Sequence, residues 1–266
     1  MKKKRRLLFP FLFALSGGFA GTALAGPPFH TDDPQPVDFR HWEAYLFSTL
    51  DRTRDGRATQ GPALEFNWGV VRNVQLHLVF PVASSTPSGG PTSLGAGDVE
   101  MGVKYRFIQE GSHRPQVGIF PMLELPTGNA RRGLGNGRVW ARLPLWVQKS
   151  YGPWTTYGGG GYIINQAPGM RSHALGGWLL QRDLGKRLTL GGELYVEGAS
   201  GVGARSSTLL DLGGYYNFTR HFSFLFSLGR NPVGAAHTVA YLGLYWTWGG
   251  HADRGARTFP SNLLGV

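Results

Sequence analysis

One histidine and two carboxylates stand close together near the start of the chain, at His30, Asp32 and Asp33. Imidazole and carboxylate groups are ligands for a hard divalent ion or a weakly held zinc. A complete site needs more ligands than three close neighbours supply, and prolines at positions 27, 28, 34 and 36 keep this stretch extended. The alternative is a structural lead-in with a turn at Asp33-Pro34, so no metal and no other cofactor is predicted.

Further charged residues recur at alternate positions along the chain. Acidic and basic rows on one wall of a pore would filter small polar or amphiphilic solutes. Alternatively, the same groups pair across a narrow interior and leave no path. Besides Asp98, the candidates are Glu43, Glu65, His77, Glu100, Lys104, Arg106, Glu124, Arg138, Arg142, Glu193, Glu197 and Asp211.

A catalytic reading of the polar residues requires a nucleophile beside a base. His77 and His173 lie in strand-like segments, and Ser223 and Ser227 alternate along another. No GxSxG motif is present, and no serine has a recognisable nucleophile setting. The sequence therefore does not predict an enzyme, and the glycines of GLGNGRVW are only a weak phosphate-loop signal because no GK[ST] follows.

The elements that carry these residues alternate with a period of two. In VQLHLVF, residues 74, 76, 78 and 80 are apolar, whereas Gln75 and His77 are polar. DVEMGVKYRFI repeats the pattern with four charges on its polar face. Strands with one apolar and one charged face are expected from this alternation.

Turn signals divide the chain into about twelve such strands. We place them at residues 38–51, 62–71, 74–82, 97–109, 115–126, 138–149, 153–164, 173–183, 187–197, 207–218, 221–229 and 238–248. Connections after odd-numbered strands are long and those after even-numbered strands are short, as in outer-membrane barrels with long extracellular loops and short periplasmic turns. The prediction is an all-β, antiparallel transmembrane barrel; the alternative is a soluble secreted β-sandwich or barrel.

The ends of the chain predict export. Residues 1–25 have the basic, apolar and small-residue zones of a cleaved signal peptide. We assign residues 26–37 to a proline-rich periplasmic lead, 38–248 to the barrel and 249–266 to a periplasmic tail. Removing the five basic residues at 2–6 lowers the net charge from +11 to +6, so nucleic acid is not a predicted partner. Cysteine is absent, which excludes disulfides and thiolate chemistry.

Aromatic and basic residues near strand ends indicate contacts with the membrane. Trp42, Trp68, Trp154, Trp178, Trp246 and Trp248 are predicted to form interfacial belts. Five arginines in or beside the predicted extracellular loops either contact lipopolysaccharide or are ordinary solvated side chains. They are Arg131, Arg132, Arg171, Arg205 and Arg230.

Four stretches carry a family resemblance: GPPFHTDDPQPVDFRHWE, ALEFNWGVVRNVQLHLVFPV, GAGDVEMGVKYRF and FPMLELPTG. They resemble the bacterial outer-membrane family assigned to transport in the MetA pathway of phenol degradation. The resemblance spans the mature chain and is most specific over residues 26–128. It implies a barrel fold and a channel role. The chain departs from the common barrel pattern by continuing past AYLGLYWTW instead of ending on an aromatic residue.

The sequence thus predicts an outer-membrane channel for small molecules, amphiphilic or aromatic ones included. The runner-up is a closed barrel with a structural or surface-interaction role, and a barrel hydrolase comes third. Expected partners are outer-membrane lipid, lipopolysaccharide, the barrel-insertion machinery and a small solute; the sequence specifies neither the solute nor the oligomeric state. The proline-rich lead is either a plain leader or a partial plug that folds into the lumen.

Overall fold

The alternating segments form one continuous antiparallel sheet in the computed structural model, which describes residues 28–234 and 236–250. The strands are β1 (His41–Arg52), β2 (Gly56–Val71), β3 (Val74–Pro87), β4 (Ser93–Ala96), β5 (Val99–Ile108), β6 (Gln116–Ile119), β7 (Met122–Leu125), β8 (Trp140–Tyr151), β9 (Trp154–Ile164), β10 (His173–Asp183), β11 (Leu188–Glu197), β12 (Ser207–Asn217), β13 (Phe222–Val233) and β14 (Thr238–Gly249). One 3-10 turn, Ala130–Arg132, lies in a loop. The predicted signal peptide and the tail beyond residue 250 lie outside the described residues.

The sheet closes on itself because β1 pairs with β14 from His41↔Gly249 to Arg52↔Thr238. Closure leaves no free sheet edge. A sheet in lipid cannot tolerate a free edge, because the N–H and C=O groups there would have no hydrogen-bond partners. Two strands are interrupted: β4 and β5 both pair with β3, and β6 and β7 both pair with β8. The fourteen segments therefore form a closed barrel of twelve strands, as predicted.

The interruptions occur where the ladder cannot continue regularly. Gly97 and Asp98 separate β4 from β5, and Phe120 and Pro121 separate β6 from β7. Proline lacks the N–H that a central strand must donate. The carbonyl of Pro121 still accepts the N–H of Val103 at 3.0 Å, so the wall stays closed across this break.

The barrel has two ends, which we name by their connections. The loop end carries residues 53–55, 88–92, 126–139, 165–172, 198–206 and 234–237; the turn end carries 72–73, 109–115, 152–153, 184–187 and 218–221. The longest connections lie at the loop end, as predicted. Three connections predicted to be long are short, because residues 56–61, 83–87 and 230–233 continue their strands as paired hairpin extensions.

The outer face is apolar and the inner face is mixed. On β13, Phe222, Phe224 and Phe226 point outward, whereas Ser223 and Leu225 are buried inside. At the turn end, Trp42 stacks on Trp68 at 5.2 Å and on Trp248 at 6.4 Å between ring centroids, which forms a belt across three strands.

Trp178 does not follow the belt prediction. It lies in the middle of β10, where it is 53% exposed on the outer face. Its indole N–H donates to the Thr156 hydroxyl on β9 at 2.8 Å, so the polar atom is satisfied within the wall. A partner on the neighbouring strand thus replaces the water that an interfacial tryptophan would use.

Residues 28–37, which we call the lead, turn back from the start of β1 into the lumen. The turn is fixed by hydrogen bonds from the Arg40 N–H to the Gly69 carbonyl (2.7 Å) and from the His41 N–H to the Asp38 carbonyl (2.9 Å). Thr31, Asp33 and most of the lead's prolines are buried. The described residues of the lead therefore lie inside the barrel, in the position that the partial-plug alternative gives them and not along an extended periplasmic course.

Two glycines of the wall make room for the lead. A Cβ on Gly118 would lie 3.1 Å from Pro34, and a Cβ on Gly177 would collide with the Thr31 hydroxyl. Both positions face the lumen, where a side chain would take the volume that the lead fills. Glycine at these two positions therefore allows the lead to approach the wall closely.

Gly177→Ala should displace the lead without opening the barrel, because the new methyl group meets Thr31 on the lead. Gly176→Ala is the matched control: its methyl group would meet only a backbone oxygen at 3.4 Å. With a reporter cysteine placed at the buried Pro36 of this cysteine-free chain, maleimide labelling should be at least tenfold faster in the Gly177 variant. Equal rates in the two variants would contradict the packing role of Gly177.

Candidate functional site: the lumen and its lead

One side of the lumen carries its lysine and arginines, together with Glu100 and Glu124, and the other side carries carboxylates; we call these sides the basic wall and the acidic wall. Lys104 and Arg106 lie on β5 and Arg142 lies on β8, while Glu43, Glu65, Glu193, Glu197 and Asp211 lie on β1, β2, β11 and β12. Most of these side chains are buried or half-buried. An Arg or Lys side chain that faced lipid at mid-membrane would cost about 2–4 kcal/mol. These residues lie at the positions of their strands that face the lumen, where polar partners are available.

An ion cluster joins the lead to the basic wall. The Lys104 ammonium donates to Asp32 Oδ1 at 3.0 Å and lies 3.9 Å from Asp33 Oδ1. Lys104 is 3% exposed and Asp33 is fully buried, and the ammonium also lies 4.8 Å from the centroid of the Phe120 ring. Buried charges are stable only when paired, so these three groups depend on one another.

Hydrogen bonds join the lead to the remaining walls. Glu193 on β11 accepts the backbone N–H groups of His30, at 3.1 Å, and of Thr31. Nearer the turn end, the Val37 N–H donates to Gln75 Oε1 on β3 at 2.9 Å. At the other extremity, Ser227 on β13 donates to the Pro28 carbonyl at 3.0 Å. The lead thus crosses the lumen from β3 to β13 and contacts both the basic and the acidic wall.

The lead divides the lumen into two cavities that share Phe29 and His30 as lining residues. The upper cavity, towards the loop end, has a volume of about 400 Å³ and is bordered by β1, β2, β12, β13 and β14. The lower cavity, of about 150 Å³, is bordered by Glu43, Glu65, His77 and other polar residues. Solute movement along the lumen therefore has to pass the lead.

A hydrogen-bonded chain runs along the wall of the lower cavity. Asn67 donates to Glu65 at 2.9 Å, His77 Nδ1 faces Asn67 Oδ1 at 2.7 Å, and His77 Nε2 faces Glu100 Oε1 at 3.0 Å. Both ring nitrogens face acceptors, so the imidazole carries two protons when both bonds are made. Beside this chain, Glu43 accepts hydrogen bonds from Tyr245 at 2.9 Å and Tyr45 at 3.2 Å.

Other predicted lumen residues make local structural contacts. Arg106 donates to Asn73 and Gln116 near the turn end. Glu197 pairs with His173 at 2.7 Å. Glu124 is half-buried and lies opposite Glu100 across the β5–β7 pair. Asp98 accepts the N–H groups of residues 128 and 136 and so holds the loop 126–139 in place.

Arg138, like Asp98, is a predicted lumen residue that lies outside the strands. It lies exposed in the loop before β8, outside the wall, although its even number matches the inward face of that strand. The sequence placed the strand start at residue 138, and the ladder begins at Trp140. This position gives Arg138 no contact with the lead.

The five arginines predicted to meet lipopolysaccharide are all exposed at or near the loop end. Arg131 and Arg132 belong to the 3-10 turn, Arg171 and Arg205 lie in loops, and Arg230 points outward from β13. They share one end of the barrel.

The serines and histidines that were weighed as a catalytic pair have other partners. Ser223 donates to Asn217 at 2.6 Å and Ser227 to the lead, while His173 contacts Glu197 and the Arg171 carbonyl. In the lead, Asp32 and Asp33 face Lys104 instead of forming a ligand set with His30. Within residues 28–234 and 236–250, no cluster of three metal-ligating side chains occurs.

Sequence reasoning missed the aromatic and amide side chains of the lumen. Tyr45, Tyr241 and Tyr245 pack with Phe47 and Leu225 inside the barrel, and Trp146 packs in a second interior cluster. All lie at the inward parity of their strands, the same signal that identified the charges. The period-two alternation therefore already identifies these aromatic side chains as lumen residues, although they carry no charge.

Lys104→Met should release the lead, because it leaves the buried Asp33 carboxylate without its cation; breaking such a pair costs about 3–5 kcal/mol. Amide hydrogen exchange measured by mass spectrometry on peptides covering residues 28–40 should become at least tenfold faster. Lys149→Met is the control, since Lys149 pairs with Glu110 away from the lead. The triple change that also makes Asp32→Asn and Asp33→Asn should restore part of the protection; no restoration would argue against a charge effect.

Comparison with solved structures places this geometry among known folds. The chain is similar to the COG4313 outer membrane channel from Pseudomonas putida F1, with a TM-score of 0.67 and 16% identity over 81% of this chain and 98% of that one. It is also similar to the KdgM porin in complex with disordered oligogalacturonate (TM-score 0.54, 10% identity, 77% and 99% covered). A third similar structure is the translocator domain of the autotransporter NalP from Neisseria meningitidis (TM-score 0.53, 11% identity, 77% and 88% covered).

Sequence comparison adds no closer relationship. No protein-family profile matches the chain, and no curated protein sequence matches it. The MetA-pathway family therefore stays a resemblance. At these identities the solved structures show the fold alone: the chain has the fold of a twelve-stranded outer-membrane β-barrel.

Proposed function

We propose that this protein is an outer-membrane channel in which the lead controls the passage of small molecules. The observation that carries the proposal is the lead crossing a polar lumen between two cavities. Beyond its peptide connection to β1, one ion cluster and a few hydrogen bonds hold it, and no disulfide ties its described residues to the wall. Contacts of this kind form and break reversibly, whereas a purely structural barrel has no need for a removable segment in its lumen.

The named roles of the similar structures support a channel-like function. One is a channel and one is a porin, the latter in complex with an oligogalacturonate, and the similarity covers nearly the whole length of both. The outer-membrane location follows from the apolar exterior together with the predicted signal peptide. For the solute, the aromatic residues that line the lumen beside its charges favour small amphiphilic or aromatic molecules.

Contacts with the membrane complete the proposal. The five exposed arginines at the loop end are suited to the anionic groups of lipopolysaccharide. At the turn end, Trp246 and Trp248 end β14 on its outer face and would serve as the internal aromatic signal for the insertion machinery. The loop end is then the extracellular end.

Deleting residues 28–36 should raise single-channel conductance in planar bilayers by at least severalfold, because it joins the two cavities. A locked variant supplies the control. Thr31 Cβ lies 3.0 Å from the Cβ position of Gly177, somewhat under the roughly 3.5–4.5 Å separation found in disulfides. A Thr31→Cys, Gly177→Cys pair can form the bond once the lead shifts by about half an ångström to reach that separation. The oxidised pair ties the lead to β10 and should keep conductance at or below the wild-type level, and reduction of the bond should reverse the effect. Unchanged conductance after the deletion would overturn the gating role of the lead.

A closed barrel with a structural or surface role is the second candidate, and the occluded lumen favours it. The same deletion decides between them. Conductance that remains absent without the lead would show that the paired side chains themselves block the path.

The charged walls should set ion selectivity once the lead is removed. In the deleted barrel, Arg142→Glu removes a cation from the basic wall and should shift the ratio of cation to anion permeability by at least twofold towards cations, as measured by reversal potentials in a salt gradient. Arg205→Glu makes the same charge change in an exposed loop and should shift the ratio much less. Equal shifts would mean that overall surface charge, not the wall, determines selectivity.

A further inference from the structure

The upper cavity contains a carboxylate that the protein does not satisfy. Asp211 is 2% exposed, and its Oδ1 has no hydrogen-bond partner among the described residues. The Ser227 hydroxyl lies near both Asp211 and the Pro28 carbonyl, and its single hydrogen can serve only one of these two acceptors at a time. A buried carboxylate oxygen without a donor is costly, so the site favours an incoming donor.

Neighbouring carboxylates are already occupied. Glu193, the cross-strand partner of Asp211, accepts the backbone N–H groups of His30 and Thr31. Asp51, at the other side of the cavity, is bound by His237 Nε2. Asp51 keeps a second oxygen, but its side chain is 47% exposed and reaches solvent. Asp211 is therefore the deeply buried cavity carboxylate that has an oxygen without a donor.

The rest of the cavity is suited to an apolar body with a donor at one end. Phe29 and Val239 contribute apolar surface, and no Lys or Arg is among the described lining residues. Tyr241, also on the lining, has a buried hydroxyl without a hydrogen-bond partner. A volume of about 400 Å³ lies within the roughly 300–1,000 Å³ range of small-molecule sites.

We propose that the upper cavity binds a small organic cation with an aromatic or aliphatic body, whose ammonium group donates to Asp211 and whose body lies against Phe29 and Val239. The charge of Asp211 selects a cation over a neutral or anionic molecule of the same shape. The Tyr241 hydroxyl provides a second polar contact. Binding does not require passage through the barrel, so this proposal and the channel function can fail separately.

The test uses the mature barrel in non-ionic detergent and three probes of similar shape. Phenethylammonium, 2-phenylethanol and phenylacetate differ mainly in the charge of the head group. In titration calorimetry, the ammonium should bind at least tenfold more tightly than the alcohol, and the carboxylate should bind least. Equal affinity for ammonium and alcohol would overturn the proposal.

Variants then locate the site. Asp211→Asn should weaken binding of the ammonium at least tenfold and leave the alcohol within about twofold, while Tyr241→Phe should weaken it less. Glu124→Gln removes a lumen carboxylate five strands away and should leave all affinities unchanged. Ammonium binding that survives Asp211→Asn at full strength would refute the assignment.

One further variant keeps the test valid if Asp211→Asn fails to fold, which heat-dependent mobility on a denaturing gel would reveal. Ala58 is exposed and lines the same cavity. Ala58→Trp should narrow the cavity and lower ammonium affinity without touching the carboxylate. Unchanged affinity in this variant would place the bound cation elsewhere.

Discussion

The interior of this barrel depends on the ion cluster of Lys104 with Asp32 and Asp33. A lysine on the lumen face of β5 cannot be desolvated alone, and neither can a carboxylate buried in the lead. Each is the other's counterion, at 3.0 Å for Asp32 and 3.9 Å for Asp33. The cluster therefore explains why a polar segment can fill the centre of a membrane barrel, and why both the lead and its wall carry charge.

The lead uses its two kinds of polar group on two different walls. Its side-chain carboxylates face the basic wall, and its backbone N–H groups face Glu193 on the acidic wall. Its prolines have no backbone N–H group. Fewer donors are therefore buried without a hydrogen-bond acceptor. A proline-rich acidic stretch is thus a chemically suitable occupant for a lumen with walls of opposite charge.

Closure of the sheet determines what each strand can place inside. Once β1 pairs with β14, every second residue faces lipid and every other faces the lumen. The lipid face carries mostly apolar side chains, with exceptions such as Thr156 and Arg230, so most of the chain's polar groups lie in a narrow interior where they meet across strands. The chain Glu65, Asn67, His77 and Glu100 arises in this way from three neighbouring strands.

The sequence by itself determined the barrel. Period-two alternation and the turn signals gave twelve strands, with β10 at 173–183 as predicted. The same alternation put Glu43, Lys104 and Asp211 on the inner face. The face to which a side chain points depends only on the local pleat of its strand, in which successive side chains alternate. The loop ends of β2 and β3 were less well predicted, since the paired hairpin extensions there depend on neighbouring strands.

Only the tertiary structure decided what the inner face contacts. The sequence allowed HTDD to be a metal-like motif, a periplasmic leader or a partial plug, because nothing local says that Asp32 meets a lysine 72 residues away. Likewise, Gly177 gives no sign in the sequence that its missing side chain makes room for Thr31. These contacts depend on curvature, register and the entry angle of the lead, which are properties of the closed barrel and of no single segment.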